Sequence, residues 1–339
     1  MNKRKVLIIY TGGTIGMVRN HLTGGLVAFD FNHLFDQIPE LHRLDVELNS
    51  FAFEQPIDSS EVTPEVWSVL ASLIEEQYNT YDGFVLLHGS DTMAFTASAL
   101  SFMLQGLRKP VILTGSQLPI GTIRTDGKEN FITAVEIAAM QNELGEAIVQ
   151  EVAIYFEYSL YRGNRTSKVS ASEFEAFKSG NFPELARAGV EINFNQAMLY
   201  RTTLPNLTVS TNMNTRVAHV SLFPGINFDY YKNLFDFNKV KGVVLSTFGS
   251  GNGPSNPEMI DILESYVKNG GIVLNITQCY SGAVQQGKYD ASKQFLNAGV
   301  LGGQTLTTEA AITKMMYVLA NYKDNEKKQI LTTSLSGEI

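Results

Sequence analysis

The chain has 339 residues, 44% of them apolar and 18% charged, more than one hydrophobic core usually serves, which predicts two domains. A formal net charge of −8 and a pI near 5.2 exclude nucleic acid as the main partner, because gripping a phosphate backbone needs a basic stripe. The one cysteine, Cys279, excludes an internal disulfide, and no run approaches the ~18 apolar residues of a membrane span.

Lys3, Arg4 and Lys5 open like the charged end of an export signal. Only about five apolar residues follow before Gly12-Gly13, short of the roughly 7–15 that such a signal needs. A cytoplasmic location with no membrane partner is expected. The apolar residues Val6-Leu7-Ile8-Ile9-Tyr10 read as a buried strand of a parallel sheet, running into the loop Thr11-Gly12-Gly13-Thr14-Ile15-Gly16. Ligands of open α/β sheets bind at the carboxyl ends of such strands. Thr11 and Thr14 therefore stand where a ligand would sit, and each is open to three roles: nucleophile, phosphate donor or turn former. Residues 17–28 show no apolar period and read as a candidate lid or as a plain surface loop. A short helix is expected over 29–41 and a second strand over 45–53.

Asp58-Ser59-Ser60 sits in a turn ahead of a helix with Thr63 as N-cap and Pro64 at the first helical position. Val66, Leu70, Leu73 and Ile74 form its apolar stripe, with Trp67 at the edge as core. A strand over 83–87 ends in His88-Gly89-Ser90-Asp91-Thr92 and is followed by a helix over 93–104. The next strand, 110–113, ends in Thr114-Gly115-Ser116-Gln117, followed by a helix over 124–140. A fifth strand over 151–158 leads into residues 160–168, which include Arg162-Gly163-Asn164-Arg165-Thr166-Ser167-Lys168. This alternation is the pattern of a doubly wound parallel sheet. Three of its strand ends carry clustered hydroxyls, which makes a site where one alone would be weak.

Periodicity fades over 193–214, the expected linker between an N-terminal domain (1–192) and a smaller C-terminal α/β domain (215–339). In the latter, strands are expected over 217–222, 240–245 and 271–276, and helices over 257–268, 292–297 and 308–322.

Familiar chemistries fail on inspection. No Gly-x-Ser-x-Gly elbow is present. His21, His33, His42, His88 and His219 show no i, i+4 pairing or cysteine partner, so no metal site is expected. His88 reads either as a base beside Ser90 or as a packed strand-end histidine, and with no partner in view the second fits better. Gly282 to Lys288 has phosphate-loop spacing, but Tyr289 stands where a hydroxyl must bind magnesium. Gly12, Gly13 and Gly16 miss the dinucleotide fingerprint. What remains is Thr14, Ser90, Asp91 and Lys168: hydroxyls, one acid and one lysine, a set able to cleave an acyl bond without cofactor.

Thr11-Gly-Gly-Thr-Ile-Gly16 and His88-Gly-Ser-Asp-Thr92, at these strand ends, resemble the two signatures of the bacterial-type L-asparaginases. Asp58-Ser-Ser60, Thr114-Gly-Ser-Gln117, the 162–168 stretch and Gly249-Ser-Gly-Asn252 are similar to the cytoplasmic, type I branch, and the resemblance spans essentially the whole chain. It implies two α/β domains, the N-terminal one flavodoxin-like, and hydrolysis of L-asparagine to L-aspartate and ammonia, often with weaker glutaminase activity. Thr14 would be the nucleophile, with Ser90, Asp91 and Lys168 as the second catalytic group; which hydroxyl attacks first stays open. Ser59 and Ser60, in the Asp58 turn, would bind the substrate carboxylate, Asp91 its amino group, and backbone around Ser116 and Gln117 the side-chain amide. Asp58-Ser59-Ser60 as a mere capping turn and Lys168 as a surface lysine are the structural alternatives. A homodimer or dimer of dimers is implied, the partner completing the site through Asn252 or Gln278. The sequence departs from the family in having Ser90 where threonine is usual and Leu26 where the lid usually carries a tyrosine. Ser246 and Thr247 stand where a basic effector contact is sought, so weak or absent allostery is expected. An amidotransferase subunit and a catalytically inactive amino-acid binding protein share these motifs.

Overall fold

The computed structural model describes residues 3–19, 26–28, 38–288 and 290–339, in two compact units, 1–211 and 212–339. In the first unit an eight-stranded sheet has the order β13-β12-β9-β8-β7-β5-β1-β4. Five of these strands are parallel neighbours: β4 (Val46–Ala52), β1 (Arg4–Tyr10), β5 (Gly83–Leu87), β7 (Val111–Thr114) and β8 (Val152–Phe156). Numbered by first appearance they run 2-1-3-4-5, the flavodoxin-like order, whose direction of winding reverses between β1 and β5. The last five residues of β1 and all of β5, β7 and β8 are buried, as strands covered on both faces must be. Their apolar side chains pack with Phe131, Ala134, Val135 and Ile137 of α3 (Gly127–Ala139).

Helix α1 (Pro64–Gln77) starts where expected, with Thr63 at the N-cap position, but the Thr63 hydroxyl makes no capping bond. Trp67 lies inside the buried stripe with Leu70, Ala71 and Ile74. Helix α2 (Met93–Met103) is buried nearly all round, which erases an amphipathic period. In the expected lid, β2 (Met17–Arg19) pairs antiparallel with β3 (Leu26–Ala28), Leu26 opposite Arg19; residues 20–25 lie outside those described. Of the helix expected over 29–41, residues 29–37 lie outside those described, and Pro39–Arg43 form a 3-10 turn.

The fifth strand is shorter than expected. The chain reverses at Glu157 and Tyr158, both at positive φ (45° and 67°), in a two-residue hairpin that returns as β9 (Ser159–Arg162). No glycine or asparagine marks this turn in the sequence; the Glu157 N–H is held instead by Asn130 Oδ1 at 2.9 Å. Beyond β9 the sheet continues antiparallel through β12 (Ala186–Ala188) and β13 (Ile192–Phe194). The expected linker is thus largely built into the first unit. Its β13 closes the sheet edge, and its β14 (Thr208–Val209) pairs with β6 (Leu104–Gln105). Such two- and three-residue bridges leave no period to read.

The second unit is a four-stranded sheet in sequential order: β15 (Val217–Ser221), β16 (Gly242–Thr247), β17 (Ile272–Thr277) and β18 (Leu301–Gly302), all parallel. Val220, Leu245, Met259, Leu263, Tyr266 and Phe295 share its core. Helix α4 (Pro257–Lys268) is capped by Asn256, which accepts the Glu258 N–H at 2.9 Å. Helices α5 (Asp290–Asn297) and α6 (Thr308–Asn321) fall where expected. Helix α7 (Asp324–Thr332) escapes the sequence reading because Leu331 is its one fully buried residue.

Lys314 of α6 is wholly buried and pairs with the equally buried Glu338 at 2.6 Å. Lys314 Nζ also donates to Thr333 O at 2.6 Å, and Glu338 accepts the N–H groups of Leu335 and Ser336. Burial alone would push the Glu338 carboxyl up; the Lys314 charge and these donors hold it below the usual glutamate value. Its stabilising contribution is therefore present near neutrality and is lost as pH falls through its folded value. Lys314→Met and Glu338→Gln are each expected to cost about 3–5 kcal/mol, because each strands a buried partner. The double variant should cost less than the sum. Urea unfolding at neutral and acidic pH measures both effects.

Candidate active site

The carboxyl ends of β1 and β5, at the reversal of the sheet, carry the loops with Thr14 and Ser90. Thr11 is a turn former: its N–H and hydroxyl both donate to Leu87 O, at 3.1 and 3.0 Å, and its carbonyl accepts the Ile57 N–H at 2.8 Å. Gly13, at φ +88°, lies so close to Gly89 that a Cβ on it would stand 2.5 Å from the Gly89 nitrogen. A Cβ on Gly89 would stand 2.5 Å from Ser59 Oγ. These two glycines let the loops bearing Thr14, Ser59 and Ser90 meet, as only a residue without a side chain can. Thr14 opens a one-turn 3-10 segment, Thr14–Gly16, and is half-buried. The buried Tyr10 hydroxyl donates to Gly16 O at 3.2 Å, and burial pushes that phenol up to about 12, so it stays a donor.

Lys168, on β10 (Ser167–Lys168), reaches the same loops. Its Nζ donates to Ser90 Oγ at 2.8 Å and to Asp91 Oδ1 at 2.7 Å. The Lys168 side chain is 17% exposed and that of Asp91 64%, so lysine and hydroxyl are shielded while the carboxylate faces solvent. An ammonium has three donors and no acceptor; on losing a proton it can take the one on Ser90. Ser90 Oγ also faces Gln117 Oε1 at 3.4 Å, and Gln117 Nε2 donates to Glu173 O at 2.9 Å, which fixes the amide with its oxygen toward Ser90. Arg162, at the head of the same stretch, lies outside this group. Its Nε donates to Glu151 at 2.6 Å, Nη2 donates to Met198 O, and the guanidinium stacks on Phe182.

Asp58 is spent within its own turn. Its Oδ1 accepts the N–H and the hydroxyl of Ser60, both at 2.9 Å, and those bonds hold its carboxyl below the usual range. Ser60 Oγ is thereby engaged, while Ser59 Oγ faces Gly89 and Ser59 O accepts the Thr92 hydroxyl at 2.6 Å. Ser116 is buried, and its Oγ has no hydrogen-bond partner among the described residues.

The Ser116–Gln117 loop is held by two residues that the sequence reading missed. The Asp126 carboxylate accepts the N–H groups of Gln117 (2.8 Å) and Leu118 (3.0 Å). Asn130 Nδ2 donates to Gly115 O at 3.0 Å and to Asp126 Oδ2 at 3.2 Å. The available signal was Asn130 itself, a polar residue amid the buried face of α3.

His88 is a buried strand-end histidine with partners. Nδ1 lies 2.7 Å from Gly89 O, and Nε2 lies 3.0 Å from Thr96 Oγ1, which accepts the Trp67 indole N–H at 3.0 Å. In the second unit the Ser246 hydroxyl is 2.7 Å from His219 Nε2, and Thr247 donates to Asn275 Oδ1 at 2.7 Å. The Gln278 amide donates to Leu222 O and Ser246 O, whereas Asn252 Oδ1 is buried without a hydrogen-bond partner among the described residues. Among the described residues no three His, Cys, Asp or Glu side chains gather as metal ligands would, and no helix is long and apolar enough to cross a membrane.

Two family models match the chain: "Asparaginase, N-terminal" over residues 5–200 and "Glutaminase/Asparaginase C-terminal domain" over residues 216–331. The sequence is 39% identical to L-asparaginase 1 of Escherichia coli K12, across 100% of this chain and 99% of that protein. It is 37% identical to the 60 kDa lysophospholipase of Mus musculus, across 99% of this chain and 63% of that protein. Among solved structures, L-asparaginase I from Vibrio cholerae superposes with a TM-score of 0.90 at 36% identity, covering 99% of both chains.

Asp126→Ala removes one acceptor from two backbone N–H groups. The expected outcome is a loss of about 1–3 kcal/mol in stability. Amide hydrogen exchange at Gln117 and Leu118 should quicken, while exchange in β5 and β7 stays slow.

Proposed function

Because the chain belongs to the asparaginase family, we propose that it hydrolyses L-asparagine to L-aspartate and ammonia, with Thr14 as nucleophile, no metal or cofactor, and weaker action on L-glutamine. The observation that carries this reading is the Lys168 ammonium bridging Ser90 and Asp91 beside the turn that Thr14 opens. Thr14 Oγ attacks the side-chain carbonyl carbon of the substrate and its proton leaves through the Ser90–Lys168 pair. The C–N bond then breaks as that proton is returned to the nitrogen, which departs as ammonia. Water attacks the resulting Thr14 ester, releasing aspartate and restoring the hydroxyl. Backbone N–H groups of the glycine turns are suited to stabilise the oxyanion.

Ser59 and Ser60 take the substrate α-carboxylate and Asp91 its α-ammonium. Asp58 contributes by fixing the Ser60 turn, consistent with both of its bonds lying inside that turn. Backbone at Ser116 and Gln117 faces the amide, held from behind by Asp126. Ser90 keeps the hydroxyl but loses a methyl that restricts its rotamer, an effect on rate and not on reaction type. Leu26 supplies no hydroxyl to Thr14, so the nucleophile works without a lid tyrosine at that position. The proposed assembly is a homodimer or dimer of dimers in the cytoplasm, with neither nucleic acid nor membrane as partner. Asn252 suits completion of a partner's site better than Gln278, whose amide already donates twice.

Ammonia release from asparagine and glutamine by wild type, Thr14→Ala and Lys168→Met tests the scheme. Thr14→Ala should lose more than about 10³-fold in kcat and Lys168→Met on the order of 10²–10⁴-fold, with circular dichroism unchanged. Asparagine binding by the wild type without turnover would instead mark a binding protein. Unimpaired Thr14→Ala would rule out its role as nucleophile.

A further inference from the structure

We propose that His88 is a positioning residue: held as the neutral tautomer with its proton on Nδ1, it fixes the Gly89–Ser90 peptide and thereby aims Ser90 at Lys168. The inference rests on the hydrolytic reading of this site.

The tautomer follows from donor and acceptor bookkeeping. A carbonyl only accepts, so the 2.7 Å contact with Gly89 O requires a proton on Nδ1. An indole N–H only donates, so Thr96 Oγ1 accepts from Trp67. That leaves the Thr96 hydroxyl proton free to be given to His88 Nε2 at 3.0 Å, which fits a bare, accepting Nε2. Complete burial acts in the same direction, lowering the proton affinity of the ring. A neutral ring satisfies every polar atom of Trp67, Thr96 and His88 with one arrangement of protons.

The consequence reaches the site because the Gly89 carbonyl and the Ser90 N–H belong to one planar peptide. Pinning the carbonyl from beneath sets the orientation of that plane at a residue that has no side chain to hold it. Ser90 Oγ must meet Lys168 Nζ at 2.8 Å and Gln117 Oε1 at 3.4 Å, so a rotation of the plane misplaces it from both. His88 N–H donates to Thr114 O at 2.9 Å, which ties the residue to the end of β7, the strand that leads to Ser116.

His88→Asn and His88→Gln separate this role from simple packing. An asparagine amide puts an N–H near the place of Nδ1, so it can keep the Gly89 contact while abandoning Thr96. A glutamine amide reaches the place of Nε2, so it can keep Thr96 while abandoning Gly89. With asparagine as substrate, His88→Asn should retain kcat within about threefold, and His88→Gln should lose about tenfold or more with a smaller change in KM. Thermal midpoints should fall in both variants. Equal kcat losses in the two, or losses that merely track the thermal midpoints, would overturn the proposal. Nitrogen-15 histidine spectra of the wild type supply an arm that needs no variant and no turnover. They should show one neutral, Nδ1-protonated ring that does not titrate over the roughly pH 5–8 range usual for histidine. An Nε2-protonated or cationic His88 would overturn the proposal even in an active enzyme. Absence of ammonia release by the wild type would count against the hydrolytic reading alone.

Discussion

Contact between backbones at Gly13 and Gly89 is the constraint on which the site depends. Two loops from adjacent parallel strands would ordinarily be kept apart by at least one side chain. Here a Cβ at either position would stand about 2.5 Å from a neighbouring atom, so the loops close onto each other and onto Ser59. The two hydroxyls of the proposed chemistry stand one residue beyond that contact: Thr14 after Gly13, Ser90 after Gly89. The reversal in strand winding opens the crevice, and the glycines narrow it to the scale of hydrogen bonds.

Charge in the molecule is managed in two opposite ways. Lys314 is sealed with Glu338 in the second unit, its ammonium also donating to Thr333 O, a wholly buried pair remote from solvent. Lys168 is shielded but paired with an exposed Asp91 and a neutral hydroxyl, an arrangement that leaves a proton to move. His88 keeps charge out of the site floor altogether. A cation directly beneath Ser90 would compete with Lys168 for influence on its hydroxyl, and the neutral ring avoids that.

The parts legible in the sequence were those with strong local signals. Continuous apolar runs gave β1, β5 and β7, and a Pro-led apolar stripe gave α1. Thr14 and Ser90 were visible as hydroxyls at strand ends. Long-range pairing hid the rest. The Glu157–Tyr158 reversal uses left-handed backbone without the residues that advertise it, and its support comes from Asn130, 27 positions away. Asp126 acts on amides that any residue would supply, so no motif announces it. His88 was ambiguous because its partner Thr96, and Trp67, which donates to Thr96, sit on helices that only the fold brings together.

The path from Arg162 to Lys168 works as a measured tether. Arg162 is moored opposite Ala153, near the start of β8, by its pairing with Glu151, whereas Lys168 must arrive at the far ends of the parallel strands. Six residues span at most about 20 Å when fully extended, and three of them are shortened into the Gly163–Arg165 3-10 turn. The segment thus joins a buried mooring at one end to the site lysine at the other. Its length, as much as its chemistry, decides where the ammonium lands, so this stretch can change its side chains far more readily than its residue count.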